Sequence, residues 1–243
     1  PVAEPASVRV VPPLLASAPA SAPAIQHPID AASAAAPQTP EHPEKKVAQA
    51  LNALLGGKPG AAMVIRDDFV RRAVVTIDNL GRSHAAPRLW PIEPTGIPGK
   101  FSVQRAGDSE FISATNTSRY NAFVTLATSI DSTRAAALYK QHYPLFQAAY
   151  QELGYPQSYF NDRLVAVIDQ LLATPEVAEP LAVKLVEVKG EVASTQPWTR
   201  YEFADPKLEA LPAGSKMLLR MGSENAQRVK AKLAAFRAVI ART

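Results

Sequence analysis

His142, Tyr143 and the triplet Asn161-Asp162-Arg163 are the residues of this chain whose types and spacing could carry chemistry. A histidine beside a phenol, met by a carboxylate and a guanidinium from the next helix, could build a proton-transfer pocket or a polar binding notch. The surroundings are aromatic: six of the seven tyrosines fall between Tyr120 and Tyr159. Tyr139, Tyr143, Phe146 and Tyr150 recur at helical spacing on one face. Such a stripe is more often core than ligand box. Buried phenols need partners, however, so the stripe implies a polar network or an amphipathic surface.

Pro144 interrupts that stripe. It cannot donate to the carbonyl of Lys140, and an interior proline costs a helix roughly 3 kcal/mol. The pattern from Ser132 to Gly154 therefore predicts one long, kinked helix with an unpaired carbonyl near His142 and Tyr143. The kink either wraps the helix around the core or opens a notch. Downstream, Ser158 or Asn161 suits an N-cap and Asp162 suits a first helical turn. Arg163 opposes the helix dipole there, so it needs a carboxylate, a tyrosine face or an external anion. The stretch from Tyr150 to Leu164 reads first as a helix joint. Its second reading is a recognition surface built from Tyr139, His142, Tyr143, Tyr155, Asn161, Asp162 and Arg163.

Other chemistry is missing from the sequence. There is no phosphate-binding glycine loop, dinucleotide fingerprint, nucleophile elbow or zinc-protease motif. His27, His42, His84 and His142 are scattered without ligand spacing, so no metal and no cofactor are expected. With no cysteine, disulfides and thiolate-bound metals are excluded. A Ser/His/Asp set can still assemble in space, which leaves a hydrolase using His142 as the alternative to a binding domain.

The elements that must position these residues are mostly helices. EKKVAQALNALLGG places Val47, Leu51, Leu54 and Leu55 on one face before a glycine stop. DDFVRRAVVTIDNLG spaces Phe69, Ala73, Ile77 and Leu80 as an inward stripe, with Asp67 placed to cap it and Gly81 to end it. Between residues 82 and 117 lies a Pro-rich arm pinned by Trp90, with a short hairpin expected around Ala106-Gly107-Asp108. Helices are then expected over 118–131, over 132–154 and from Ser158 to the stop before Pro175, the last with Leu164, Ile168, Leu171 and Leu172 inward. The segment 177–198 suits a short strand or hairpin, and DPKLEAL a helical turn. Two helices hinged at Gly222-Ser223 follow, with Val229, Leu233, Phe236 and Ile240 as the final apolar stripe. The expected fold is mainly α: an irregular multi-helix bundle with a long Pro-rich loop and at most a short hairpin, spanning 44–243 as one domain.

Residues 1–43 differ in kind. Ten of the 22 prolines and twelve alanines fall there, and such a segment offers little apolar surface to offset its ordering. It reads as a linker that spaces a domain from something upstream, and the chain starts at Pro1 without an initiator Met. The formal charge of +4 is uneven as well. Segment 223–243 carries Arg228, Lys230, Lys232, Arg237 and Arg242 against Glu224 alone. A basic helix can meet nucleic acid or anionic lipid headgroups, although a solvated outer face is the commoner role. Nucleic acid is not an expected partner.

The stretches DDFVRRAVVTIDNL, LYKQHYPLFQAAYQELGYPQSYFNDRLVAVIDQLLATPEV and YEFADPKLEALPAGSKMLLRMGSENAQRVKAKL resemble the bacterial proteins grouped as domain of unknown function 3014. That resemblance brings no activity and no catalytic residues. It implies an inner-membrane protein with one N-terminal transmembrane helix, a Pro/Ala-rich linker, and this domain facing the periplasm of a Gram-negative bacterium. The expected role is an interaction module for another envelope protein or the cell wall.

Overall fold

Nine α-helices and four short strands make up the described part of a computed structural model, which covers residues 24–29, 43–93, 101–186 and 199–241. The helices are α1 (Pro43–Leu55), α2 (Phe69–Leu80), α3 (Asn121–Ser129), α4 (Ser132–Gln141), α5 (Tyr143–Glu152), α6 (Phe160–Leu172), α7 (Pro206–Glu209), α8 (Ala213–Arg220) and α9 (Ser223–Ile240). The strands are β1 (Val103–Ala106), β2 (Ser109–Ile112), β3 (Ala182–Leu185) and β4 (Tyr201–Phe203). The fold is mainly α. None of the helices among the described residues is long and apolar enough to cross a membrane.

Two helices organise the bundle. α9 packs against α3, α4, α6 and α8, while α2 packs against α1, α5, α6 and α8. The main core lies between them, joining Val47, Leu51 and Leu55 of α1 to Val70 and Val74 of α2, the α4–α5 aromatics, Phe160 and Ile240. α8 can approach α2 and α6 closely because residue 214 lacks a side chain. A Cβ there would meet Leu171 Cδ2 at 2.6 Å and the Leu80 carbonyl at 3.1 Å. Gly222, at φ 84°, then supplies the left-handed turn between α8 and α9 that other residues disfavour.

The expected hairpin is present, turning at Gly107 and Asp108, and β3 and β4 extend it into an antiparallel sheet of order β1-β2-β3-β4. Leu181, Val183 and Phe203 form its small core, against Leu208 and Leu219. The arm from residue 87 to 93 is packed rather than loose. Arg72 and Thr76 of α2 donate to the carbonyls of Arg88 and Leu89, and Ile65 N–H donates to the Pro91 carbonyl at 2.9 Å.

Four local expectations change. Pro144 does not kink one helix; it starts a new one. α4 ends at Gln141, His142 sits at φ −105°, and Pro144 occupies the first turn of α5, where its missing N–H costs nothing. His142 N–H donates to the Leu138 carbonyl at 3.1 Å and closes the last turn of α4. The segment 118–131 is likewise two elements, a 3₁₀ helix over Ala114–Tyr120 followed by α3. Asp67 does not cap α2: Asp68 holds the N-cap position in the left-handed region, at φ 54°, without a side-chain bond. The buried stripe of α2 is Val70, Ala73, Val74 and Asp78, with Phe69, Ile77 and Leu80 half-buried at its margins.

Candidate functional site

The joint between α5 and α6 is closed by side chains of α5. Neither Ser158 nor Asn161 caps α6; Tyr159 holds the N-cap position and makes no side-chain cap bond. The free N–H of Phe160 donates instead to Gln147 Oε1 at 2.8 Å, and that of Asn161 to the Tyr143 hydroxyl at 3.3 Å. Gln147 completes the closure by donating from Nε2 to the Ser158 carbonyl at 2.8 Å and accepting from the Tyr143 hydroxyl at 2.9 Å. Two orphan donors of a helix start are thus satisfied from the preceding helix.

The aromatic stripe fills the space beneath. Tyr139 meets Tyr143 edge-on, with centroids 5.6 Å apart, Phe146 stacks on Phe160, and Tyr150 stacks on Tyr155 at 4.6 Å. Tyr139, Tyr143 and Tyr150 are buried. Burial pushes the phenols of Tyr139 and Tyr143 well above their ordinary pKa, and the Tyr159 hydroxyl adds to the effect on Tyr143. They remain neutral donors.

Asn161 is wholly buried and fully engaged. Its Oδ1 accepts from the Tyr139 hydroxyl at 3.1 Å; its Nδ2 donates to the Ile240 carbonyl at 3.1 Å and the His27 carbonyl at 2.8 Å. The last bond reaches into the Pro/Ala-rich linker. Next to it, Asp162 accepts the N–H of Gln26 on Oδ2 at 3.0 Å and that of His27 on Oδ1 at 2.7 Å. The Tyr159 hydroxyl accepts Ile29 N–H at 2.8 Å. Residues 24–29 therefore lie docked on the joint, held through their main chain, with Ile29 buried in the main core.

Simple magnitudes say how firmly. Two bonds to the carboxylate at about 2 kcal/mol each and two more at about 1 kcal/mol each contribute roughly 6 kcal/mol. Burial of Ile29 adds about 2 kcal/mol. Ordering six residues costs about 6–12 kcal/mol. The docked segment stands close to balance.

Arg163 turns the other way. Its Nε donates to Asp78 Oδ1 at 3.0 Å and its Nη2 to the Asp78 carbonyl at 2.8 Å. Of the three partners considered for it, the carboxylate holds. Asp78, buried on α2, also pairs with Arg82 at 2.7 Å and accepts from the Tyr155 hydroxyl at 3.4 Å. Arg82 donates in turn to that hydroxyl. Gly81 makes room for this cluster, since a Cβ there would meet Arg163 Nη2 at 2.8 Å. His142, half-buried at the α4–α5 break, has its pKa lowered by burial and then by the Lys46 ammonium. Its ring makes no hydrogen bond or ion pair with the described residues.

A family model for proteins of unknown function, DUF3014, matches residues 69–237. The chain belongs to this family. No curated protein matches it, and no solved structure does. The DUF3014 match takes in Asp78, Gln147, Tyr159, Asn161, Asp162 and Arg163, whereas the docked segment lies outside it.

Within this DUF3014 domain the seven residues singled out from the sequence separate into distinct places. Tyr139, Tyr143 and Asn161 are internal to the joint, Tyr155 and Arg163 belong to the Asp78 cluster, His142 stands at the helix break, and Asp162 faces the docked segment. Sequence reasoning passed over Gln147, Tyr159, Asp78 and residues 24–29. The available signal was small: Ile25 and Ile29 are the only isoleucines in the linker. Among the described residues, no three His, Asp or Glu side chains gather as a metal site. The basic face of α9 is partly engaged internally. Lys230 donates to the Thr174 carbonyl and Arg237 clasps Asp169 through two bonds, while Arg228 is exposed.

Proposed function

We propose that this domain is a non-enzymatic interaction module of the Gram-negative envelope, tethered to the inner membrane and facing the periplasm, whose partner is a short segment of another envelope protein bound through its main chain. One observation carries the binding role. The Tyr159–Asp162 turn already holds a short stretch of chain, bent at Gln26 and His27, through three N–H groups and a carbonyl. Recognition of main chain by a preformed set of acceptors is how peptide-binding domains obtain affinity without demanding one sequence. Tethering and location are supported by the Pro/Ala-rich composition of residues 1–43 and by what the family resemblance implies. His142, with no acid on its ring among the described residues, gives a hydrolase no general acid–base pair to work with.

The test is photo-crosslinking in cells, with a crosslinking residue in place of Ala166, which is exposed one turn along α6 from Asp162. One dominant envelope-protein adduct, lost on Asp162→Ala, is the expected result. No specific adduct from a folded, membrane-inserted protein would overturn the reading.

A further inference from the structure

We infer that the turn of Tyr159, Asn161 and Asp162 is an exchangeable peptide site, and that residues 24–29 are its intramolecular competitor, displaced when a partner's segment of the pattern x-x-Pro-aliphatic binds. This rests on the interaction-module reading above and specifies its ligand and its control.

Which features of a ligand the site reads follows from the contacts. Asp162 takes two consecutive N–H groups, those of Gln26 and His27. The next residue, Pro28, has no N–H to place, and it follows the bend at Gln26 and His27. Its ring leaves the spacing to Tyr159 free for the N–H of Ile29. Only Ile29 contributes a buried apolar side chain; Ile25 is 54% exposed, and Gln26 and Pro28 are exposed. The ligand class is therefore a segment that bends to turn two consecutive N–H groups towards one carboxylate, followed by a proline and a branched aliphatic residue.

The resident segment fits this site imperfectly. His27 Nδ1 is buried and has no hydrogen-bond partner among the described residues. A buried polar atom left unpaired weakens the bound state, and a segment with an apolar residue in that place would escape the penalty. Covalent attachment compensates, because an intramolecular ligand competes at high effective concentration even when intrinsically weak. A suboptimal occupant held near balance by its own chain is a device for keeping a site covered until a better ligand arrives.

The experiment uses the full chain and the acetylated, amidated peptide Ala-Ile-Gln-His-Pro-Ile carrying a fluorophore, read by fluorescence polarisation. Ile29→Asp should release the cis segment and tighten binding of the peptide at least about tenfold over the wild type. Adding Asp162→Ala to that variant should abolish binding, and a peptide with Leu in place of the histidine should bind more tightly than the parent. Should Ile29→Asp fail to fold, a protease site inserted between residues 30 and 42 frees the segment without altering it, and the cut protein should bind the peptide as the variant would. A folded Ile29→Asp variant or cut protein that binds the peptide no better than the uncut wild type would overturn the inference and make residues 24–29 a fixed strap. The two readings fail separately. Exchange in this assay with no adduct in cells sinks the interaction module, whereas an adduct through Ala166 without exchange sinks only the competitor.

Discussion

Gln147 Oε1 accepts the backbone N–H of Phe160 at 2.8 Å, so a side chain of α5 caps the helix that follows it. The two helices cannot part without exposing that donor, together with the Ser158 carbonyl that Gln147 also holds. Gln147→Ala should cost about 1–2 kcal/mol, the range of a lost cap. Gln147→Glu, which keeps the acceptor, should recover part of it. Urea denaturation followed by circular dichroism measures both; equal stability of wild type and Gln147→Ala would mean that water caps α6 as well.

The Asp78 cluster should show a ranked response. Removing the carboxylate leaves the half-buried Arg163 with only the main-chain carbonyl of residue 78 to hold its charge, so Asp78→Ala should cost about 3 kcal/mol. Arg163→Ala should cost less, because Arg82 still faces Asp78. Arg82 is half exposed, and its replacement by Ala should fall within about 1 kcal/mol. Denaturant midpoints for the three variants decide the order, and a larger effect for Arg82 than for Arg163 would contradict it.

His142 predicts a pH dependence. Burial and Lys46 hold the folded imidazole below its ordinary value of 6.5, so the unfolded chain takes up this proton at higher pH than the folded one. The contribution of the neutral ring is intact above that value and declines as pH falls from it towards the folded pKa. His142→Gln should therefore lose less melting temperature than the wild type between about pH 7.5 and about pH 5.5. Thermal scans at the two pH values read the difference; parallel losses would remove His142 as a contributor.

On α9, basic residues of similar sequence character should differ in weight. Lys230 donates to the Thr174 carbonyl, and Lys230→Ala should cost about 1 kcal/mol. Arg228 is exposed, so Arg228→Ala should stay within about 0.5 kcal/mol. Chemical denaturation of the pair tells whether the basic face works as internal scaffolding.

Most helices were legible because 3.6-residue periodicity survives in any helix with one wet side, as in Val47, Leu51 and Leu55. The α4–α5 break was hidden by that same regularity. Tyr139, Tyr143 and Phe146 face one core from two helices, so their stripe runs on across Pro144 as though nothing interrupted it. On α2, packing against several neighbours buries Val70, Val74 and the charged Asp78, and hydropathy cannot nominate a buried carboxylate whose partners lie far along the chain. The pairing of β2 with β3 joins residues some seventy positions apart, a relationship that no local pattern encodes. In the site, the polar triplet was visible, but its division was not. Asp162 and Arg163 are adjacent in sequence and point to different partners, one to the docked segment and one to α2. The docked segment itself was masked by composition, since two isoleucines carry little weight among forty-three residues rich in proline and alanine.

The Asn161 amide donates to His27 on one side and Ile240 on the other, which brings two parts of the chain some two hundred residues apart to within the span of a single side chain. A pair of fluorophores at the two places would sit almost in contact while the segment is docked and separate when it leaves. The sequence contains no cysteine of its own, so two introduced thiols could be labelled without background. The molecule is in this sense already wired as an optical reporter, able to signal the arrival of a ligand whose identity need not be known beforehand.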